Sequence, residues 1–180
     1  ISIGTIPIVL LGGSIKIFIP SFFENVLRSN LSIALVSFLM AFFMYLADST
    51  KRGSINIKNH NYSNSFFIGF FQAFAIFPGV SRSGVTISSA LILGWERSDA
   101  AKFSFLLGIP AISIAAIAEL VFSFKEFNLV GFLPLVVGLI TTFFSSLLAI
   151  SFLIKYFSKN GLKLFIIYRV LFGIVILLNL

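Results

Sequence analysis

The 180-residue sequence predicts an all-α polytopic membrane protein, with about five transmembrane helices and one re-entrant helical hairpin. Three observations carry this reading. Hydrophobic residues make up 58% of the chain and charged residues only 11%, whereas a soluble domain holds about 25% charged residues. The 24 Phe alone outnumber the 13 basic and 6 acidic side chains together, so a water-facing shell cannot be assembled from this inventory. The mean hydropathy of +1.08 is gathered into long apolar runs, and one of those runs is interrupted midway by a polar segment.

The same composition removes several function classes. With zero Cys there is no disulfide framework, no thiolate zinc site and no cysteine nucleophile. A net charge of +7 and a pI near 10.0 would suggest nucleic acid in a soluble chain. Here the positive charges sit between apolar runs and form no basic stripe, which fits loops beside anionic lipid headgroups and argues against a nucleic-acid partner. No secretory signal peptide of the usual shape is present. The chain starts at Ile1, inside an apolar run, and is expected to be a single, N-terminally truncated transmembrane domain over residues 1–180.

A spanning helix needs roughly 20 apolar residues for a hydrocarbon core about 30 Å thick. By that measure Ile1–Ile19 is a first segment with Lys16 near its exit, and Leu31–Ala47 is a second, followed by Asp48, Lys51 and Arg52. Phe103–Phe124 is a third, in which Pro110 is tolerated as a kink. Leu129–Ile154 is the longest and carries no charge, and Leu162–Leu180 is the last and contains Arg169.

Residues 65–95 do not fit this scheme. Ser65–Phe77 is apolar for 13 residues and Thr86–Trp95 for 10, separated by Pro78-Gly79-Val80-Ser81-Arg82-Ser83-Gly84. At ~1.5 Å per residue the arms reach only ~20 Å and ~15 Å, so neither crosses alone. Irregular backbone at membrane depth survives only where protein or a water-filled cavity covers it. The segment is therefore either one broken spanning helix or a hairpin that returns to its own side. Loop 48–64 carries Lys51, Arg52 and Lys58, and loop 155–163 carries Lys155, Lys159 and Lys163. Only a re-entrant hairpin over 65–95 puts both basic loops, together with Glu96–Lys102, on one face, and short basic loops mark the cytoplasmic side. The re-entrant reading is preferred, and it leaves the C-terminus outside.

The break holds the chemistry. It places three hydroxyls (Ser81, Ser83, Thr86), a guanidinium (Arg82) and two glycines where lipid would demand apolar side chains. The second arm starts here, so its first N–H groups lack intrahelical partners and carry partial positive charge, which suits an anion. Ser83 is read as the N-cap, with Thr86 facing the same turn. Arg82 adds a planar fork that matches phosphate oxygens, and the glycines let backbone approach a ligand. The hydroxyls alone could be a polar loop that merely satisfies broken backbone. An arginine at membrane depth costs at least ~2.5–3.5 kcal/mol and favours function. Arg169, roughly 10 Å into the last helix at the helical rise, is read as a second phosphate contact or as an arginine bonded to carbonyls.

Other residues carry weaker signals. Gln72 could reach the site or pack between helices. Glu119 reads as an interfacial carboxylate, His60 as a loop residue and Trp95 as an interface anchor. Six residues beyond Arg82 stands Ser88 rather than His, which excludes the acid-phosphatase-like lipid phosphatases at this site.

The run Pro78-Gly79-Val80-Ser81-Arg82-Ser83-Gly84-Val85-Thr86-Ile87-Ser88 resembles the second signature of the undecaprenyl-diphosphate phosphatase (bacitracin-resistance) family. Ala100-Ala101-Lys102-Phe103-Ser104-Phe105-Leu106-Leu107-Gly108-Ile109-Pro110 resembles the stretch that follows it there, and Tyr168-Arg169 a third feature. The resemblance implies hydrolysis of undecaprenyl diphosphate to the monophosphate, recycling the peptidoglycan carrier lipid and opposing bacitracin, in a multi-pass protein of the bacterial cytoplasmic membrane. It implies an inverted-repeat fold with two re-entrant hairpins, of which this chain would be half. Carried over by position, Ser81, Arg82, Ser83, Gly84, Thr86 and Arg169 would hold the diphosphate, with Ser81 and Arg82 as catalytic candidates and Ser81 as either nucleophile or ligand. The family's first signature, with two glutamates four apart, is not in this sequence. A divalent cation, magnesium or calcium, is expected, with its ligands in the missing part, and the 180 residues alone are expected to be inactive. The expected partners are the polyprenyl diphosphate, the bilayer and, as one assembly the reading allows, a second copy in a homodimer. The alternative from another class is a polyprenyl-phosphate flippase, since broken half-helices aimed at an anion are also a transporter feature.

Overall fold

The computed structural model describes residues 1–18, 27–50, 53–123 and 132–179. Among them the chain forms seven α-helices and one short 3-10 turn: α1 Ser2–Phe18, α2 Asn30–Asp48, α3 Tyr62–Ala73, the turn Phe74–Ile76, α4 Arg82–Ile92, α5 Arg97–Ser123, α6 Phe132–Asn160 and α7 Lys163–Leu178. The starts of α2 and α3 follow local chemistry. Ser29 caps α2 by accepting from the Ser32 N–H, and Asn61 caps α3 by accepting from the Asn64 N–H at 2.8 Å.

Several boundaries move from those read in the sequence. α5 starts at Arg97 rather than Phe103, so the charged segment is the first turn of the helix and Asp99 sits at its positive end. α6 runs on to Asn160, past the apolar limit at Ile154, with Lys159 in its last turn, where a cation suits the helix dipole. Ile19, Lys51, Arg52, Phe124, residues 129–131 and Leu180 of the expected segments lie outside the described residues, as do the side chains of Lys16 and Glu119.

α2 lies along α7 and against α4, while α4, buried from Gly84 to Leu91, also meets α3 and α5, and α1 packs on α3 and α5. The α1–α3 crossing is close enough that a methyl on Gly69 would overlap the backbone of Gly4. Buried Met40, Met44, Ile68, Val85, Leu91, Trp95, Phe103, Leu107, Phe157 and Leu162 form one core that draws on α2 to α6 and the α6–α7 turn.

The two ends of the helical pair α3–α4 are joined. Ile55 N–H donates to the Gly94 carbonyl (3.1 Å) and Glu96 N–H to the Ile55 carbonyl (2.8 Å), so the strand-like residues before α3 pair with those after α4. α4 ends in a Schellman turn, with the Trp95 N–H on the Ala90 carbonyl and Gly94 at φ 84°. Asp48, ending α2, bonds Arg97 of α5 at 2.7 Å, and the Ile57 N–H reaches an Asp99 carboxylate oxygen at 3.2 Å. Trp95, expected at a lipid interface, is 1% exposed instead, its ring against Phe103 (4.9 Å) and His60 (5.1 Å). His60 is held there by its Nδ1 on the Ile57 carbonyl (2.8 Å). The Schellman turn directs Trp95 back under the helix, which is why it enters the core.

α2, α5 over Arg97–Ala118 and α6 over Leu133–Asn160 are long and apolar enough to cross a membrane, while α1 and α7 have 17 and 16 residues. The outer faces are apolar: α6 exposes Leu133, Leu139, Phe143, Phe144, Leu148 and Phe152. Such a surface suits hydrocarbon and not water, and the chain is a helical membrane protein.

Gly69→Ala is expected to lower the unfolding free energy by about 1–3 kcal/mol through overpacking at the α1–α3 crossing. The thermal midpoint in detergent measures this, and Gly138→Ala, at a helical position with open space, serves as the control that carries only the helix-propensity gain of about 0.5–1 kcal/mol.

Candidate functional site

The break between α3 and α4 is built from the chain outward. Phe77 takes the extended conformation that a following proline requires (φ −70°, ψ 130°). Pro78 and Gly79 then form a type II turn, with Gly79 at φ 89° and the Val80 N–H on the Phe77 carbonyl at 3.1 Å. A Cβ at Gly79 would come within 2.9 Å of the Ile33 carbonyl oxygen, so the turn is seated directly on α2. From the other side Arg169 of α7 donates through Nη1 to the Gly79 carbonyl at 2.8 Å.

The helix cap is Ser81, not Ser83. The turn releases the chain at Val80, Ser81 is extended (φ −81°, ψ 115°), and its Oγ accepts from the Gly84 N–H at 3.2 Å. The helix therefore starts two residues earlier than the hydroxyl pattern suggests. Gly84 makes this possible, because a Cβ there would come within 2.8 Å of the Ser81 Cβ. The cap serves Gly84, and the Ser81 carbonyl serves Val85 (2.8 Å). The N–H groups of Arg82 and Ser83, the first of α4, have no intrahelical acceptor.

A cavity of about 120 Å³ opens against this N-terminus. Its polar lining comes from Ser81, Ser83, Gly84, Tyr168 and Arg169, and its apolar lining from side chains such as Met44, Ile87, Phe105, Leu153 and Phe157. The structure thus brings Ser81, Ser83, Gly84 and Arg169 together. Arg82 and Thr86 leave the same turn toward α5 and do not line that cavity. Arg82 is half-buried, and its Nη1 donates to the Ser104 carbonyl at 3.1 Å. Thr86 and Ser104 are both 0% exposed, and their hydroxyls meet at 2.6 Å. Thr86 Oγ1 also donates back to the carbonyls of Arg82 (2.9 Å) or Ser83 (3.2 Å). Thr86 thus locks the first turn of α4 rather than facing the cavity.

Ser104 and Tyr168 are neighbours of these groups that the sequence reading did not single out as site residues. Ser104 carried a faint signal, a hydroxyl inside an apolar span. Gln72 is 0% exposed, and among the described residues neither its amide oxygen nor its nitrogen has a partner; the Ser88 hydroxyl is likewise buried and unpaired. Among the described residues no three His, Asp or Glu side chains converge. Asp48 and Asp99 are engaged with Arg97 and Lys102.

Fold and site together define a helical membrane protein with a polar helix break, rich in hydroxyls and flanked by two arginines, half-buried among apolar helices. Residues 1–175 match the family model described as bacitracin resistance protein BacA, and the chain belongs to that family. An undecaprenyl-diphosphatase of Prochlorococcus marinus strain MIT 9301 is 86% identical over all 180 residues, which cover 68% of that protein. One of strain AS9601 is 84% identical over all 180 residues, covering 66% of that protein. One of strain MIT 9303 is 45% identical over 177 residues, 98% of this chain and 60% of that protein. The chain therefore spans about two thirds of the length of these curated relatives. The family expected from the motifs at Pro78–Ser88 and Ala100–Pro110 is thus shown, and the relatives carry the name of an enzyme class.

Ser81→Ala removes the cap and is expected to cost about 1 kcal/mol of stability, whereas Ser81→Asn keeps an acceptor and most of that stability. Thermal unfolding of the two variants in detergent separates this capping role from any role in turnover.

Proposed function

We propose that the protein hydrolyses undecaprenyl diphosphate to undecaprenyl phosphate and inorganic phosphate in the bacterial cytoplasmic membrane, recycling the peptidoglycan carrier lipid and opposing bacitracin. The observation that carries this reading is the N-terminus of α4, which presents unpaired N–H groups beside Ser81 and Ser83 and is flanked by Arg82 toward α5 and Arg169 from α7. Four relatives that are 72–86% identical are named undecaprenyl-diphosphatase, which supports the same assignment.

The chemistry follows from charge. Hydrolysis of a phosphoanhydride builds negative charge on the phosphoryl oxygens, and fixed donors in a water-poor site stabilise it strongly. Arg169 spends one N–H on Gly79 and Arg82 one on Ser104, and each guanidinium has five to give. The remaining donors, with the N–H groups of Arg82 and Ser83, are the diphosphate contacts of this proposal. The Ser81 Oγ accepts from Gly84 and keeps its own proton to donate to a phosphoryl oxygen. Thr86 contributes through the turn it locks. The apolar cavity wall of Met44, Ile87 and Phe105 suits the lipid end of such a substrate. A divalent cation, magnesium or calcium, completes the proposal, with carboxylate ligands outside these 180 residues, which alone are expected to release no phosphate.

The membrane arrangement is part of the same reading. Five helices span, and α3–α4 is a re-entrant hairpin. The joined ends at Ile55–Trp95 and the Asp48–Arg97 pair support a unit that enters and leaves on one side. That side carries Lys58, Lys102, Lys155, Lys159 and Lys163 and faces the cytoplasm.

Phosphate release from farnesyl diphosphate by the complete gene product in detergent is the test. Release is expected to require added magnesium or calcium and to fall by about 10²–10³-fold or more in Arg82→Ala, the loss typical of a removed oxyanion donor. Lipid binding without release would favour the flippase, whose half-helix N-termini would serve an anion equally well.

A further inference from the structure

α5 approaches the break with an unusual surface. Within a helix the carbonyl of residue 104 is already paired to the N–H of residue 108, yet the Ser104 carbonyl also accepts from Arg82 Nη1 at 3.1 Å. This second bond needs lateral access to the helix backbone. Gly108 provides it: a Cβ built on Gly108 would overlap Nη1, Cζ and Nη2 of Arg82. The guanidinium therefore lies in the space that any other residue at 108 would fill. One turn along, the Ser104 and Thr86 hydroxyls join at 2.6 Å in a fully buried contact, which fixes the register of the first turn of α4 against α5.

We propose that Ser104 and Gly108 of α5 are positioning residues for Arg82, so that the run Ala100–Pro110 acts by holding the guanidinium of the run Pro78–Ser88. The carbonyl sets one edge of the planar fork, the missing Cβ sets its depth, and the Thr86–Ser104 bond sets the helix that carries it. One of five N–H donors is spent on this brace, and the rest stay available with the rotamer freedom of a long side chain already removed. A lysine could not use the brace in the same way, because a point charge has no plane to orient. The inference rests on the proposed diphosphatase reading for its kinetic consequence, but the brace itself is a statement about one side chain.

The experiment uses the complete gene product in detergent with farnesyl diphosphate. Gly108→Ala is expected to lower kcat about 10²-fold, the scale of an ångström-level misplacement, while KM changes little. Gly138→Ala, in open space on α6, leaves kcat at the wild-type level. Arg82→Lys lowers kcat by itself, and Gly108→Ala in that background is expected to add no further loss, the non-additivity of two changes acting through one group. A separate readout needs no turnover: Arg82 labelling by phenylglyoxal, followed by mass spectrometry, is expected to be several-fold faster in Gly108→Ala than in the parent. Wild-type turnover in Gly108→Ala, or a loss that adds in full to that of Arg82→Lys, overturns the brace. If the parent releases no phosphate the diphosphatase reading fails, and the brace is then decided by labelling, where equal rates overturn it.

Discussion

A helix interrupted inside an apolar protein exposes backbone groups that no solvent can satisfy, and that requirement organises the molecule around Phe77–Gly84. Several of the freed groups are met, each from a different direction. The Phe77 carbonyl takes the Val80 N–H, the Gly79 carbonyl takes Arg169 from α7, and the Gly84 N–H takes the Ser81 hydroxyl. α2 supplies the floor, with Ile33 and Val36 under Gly79 and Met44 beside Gly84. α2 lies along α7 and against α4, and so carries both the turn and the helix whose arginine reaches it.

The same requirement explains why the polar residues divide into two sets. Those that close backbone bonds, Ser81, Thr86 and Ser104, are spent largely on structure. Those with donors to spare, Arg82, Ser83 and Arg169, sit beside the first N–H groups of α4. An unpaired donor in apolar surroundings is costly, so a site with several of them is stable mainly when an anion or water completes it. Gln72 and Ser88, buried without partners among the described residues, add to that unmet polarity in the hairpin arms.

The other end is tied by backbone and side-chain contacts together. The Ile55–Trp95 bridge, the Asp48–Arg97 pair and the His60–Trp95–Phe103 ring cluster join the entry of α3, the exit of α4 and the start of α5. Helix ends tied this way limit play at the break, and the phosphate contacts proposed there depend on hydrogen-bond distances being held.

The sequence by itself determined the membrane character, from its charge-poor composition, and the break, from Pro78-Gly79, because a type II turn needs only a proline followed by a residue with positive φ. Family membership was also legible, since Pro78–Ser88 and Ala100–Pro110 are each unbroken runs of the chain. Local spacing did not reveal the cap, because Ser81 and Ser83 are both plausible until the turn fixes where the chain becomes helical. Trp95 was read at a lipid interface because its burial depends on a turn that folds it back toward Phe103. The tertiary structure alone decided where Arg82 points and that it meets Ser104 and Gly108. Arg82 and Ser104 stand 22 apart in the chain, Thr86 and Ser104 18, and Gly79 and Arg169 90. In helices apolar on nearly every face, periodicity cannot tell the side that meets protein from the side that meets lipid, so the partners of these polar groups are set by packing alone.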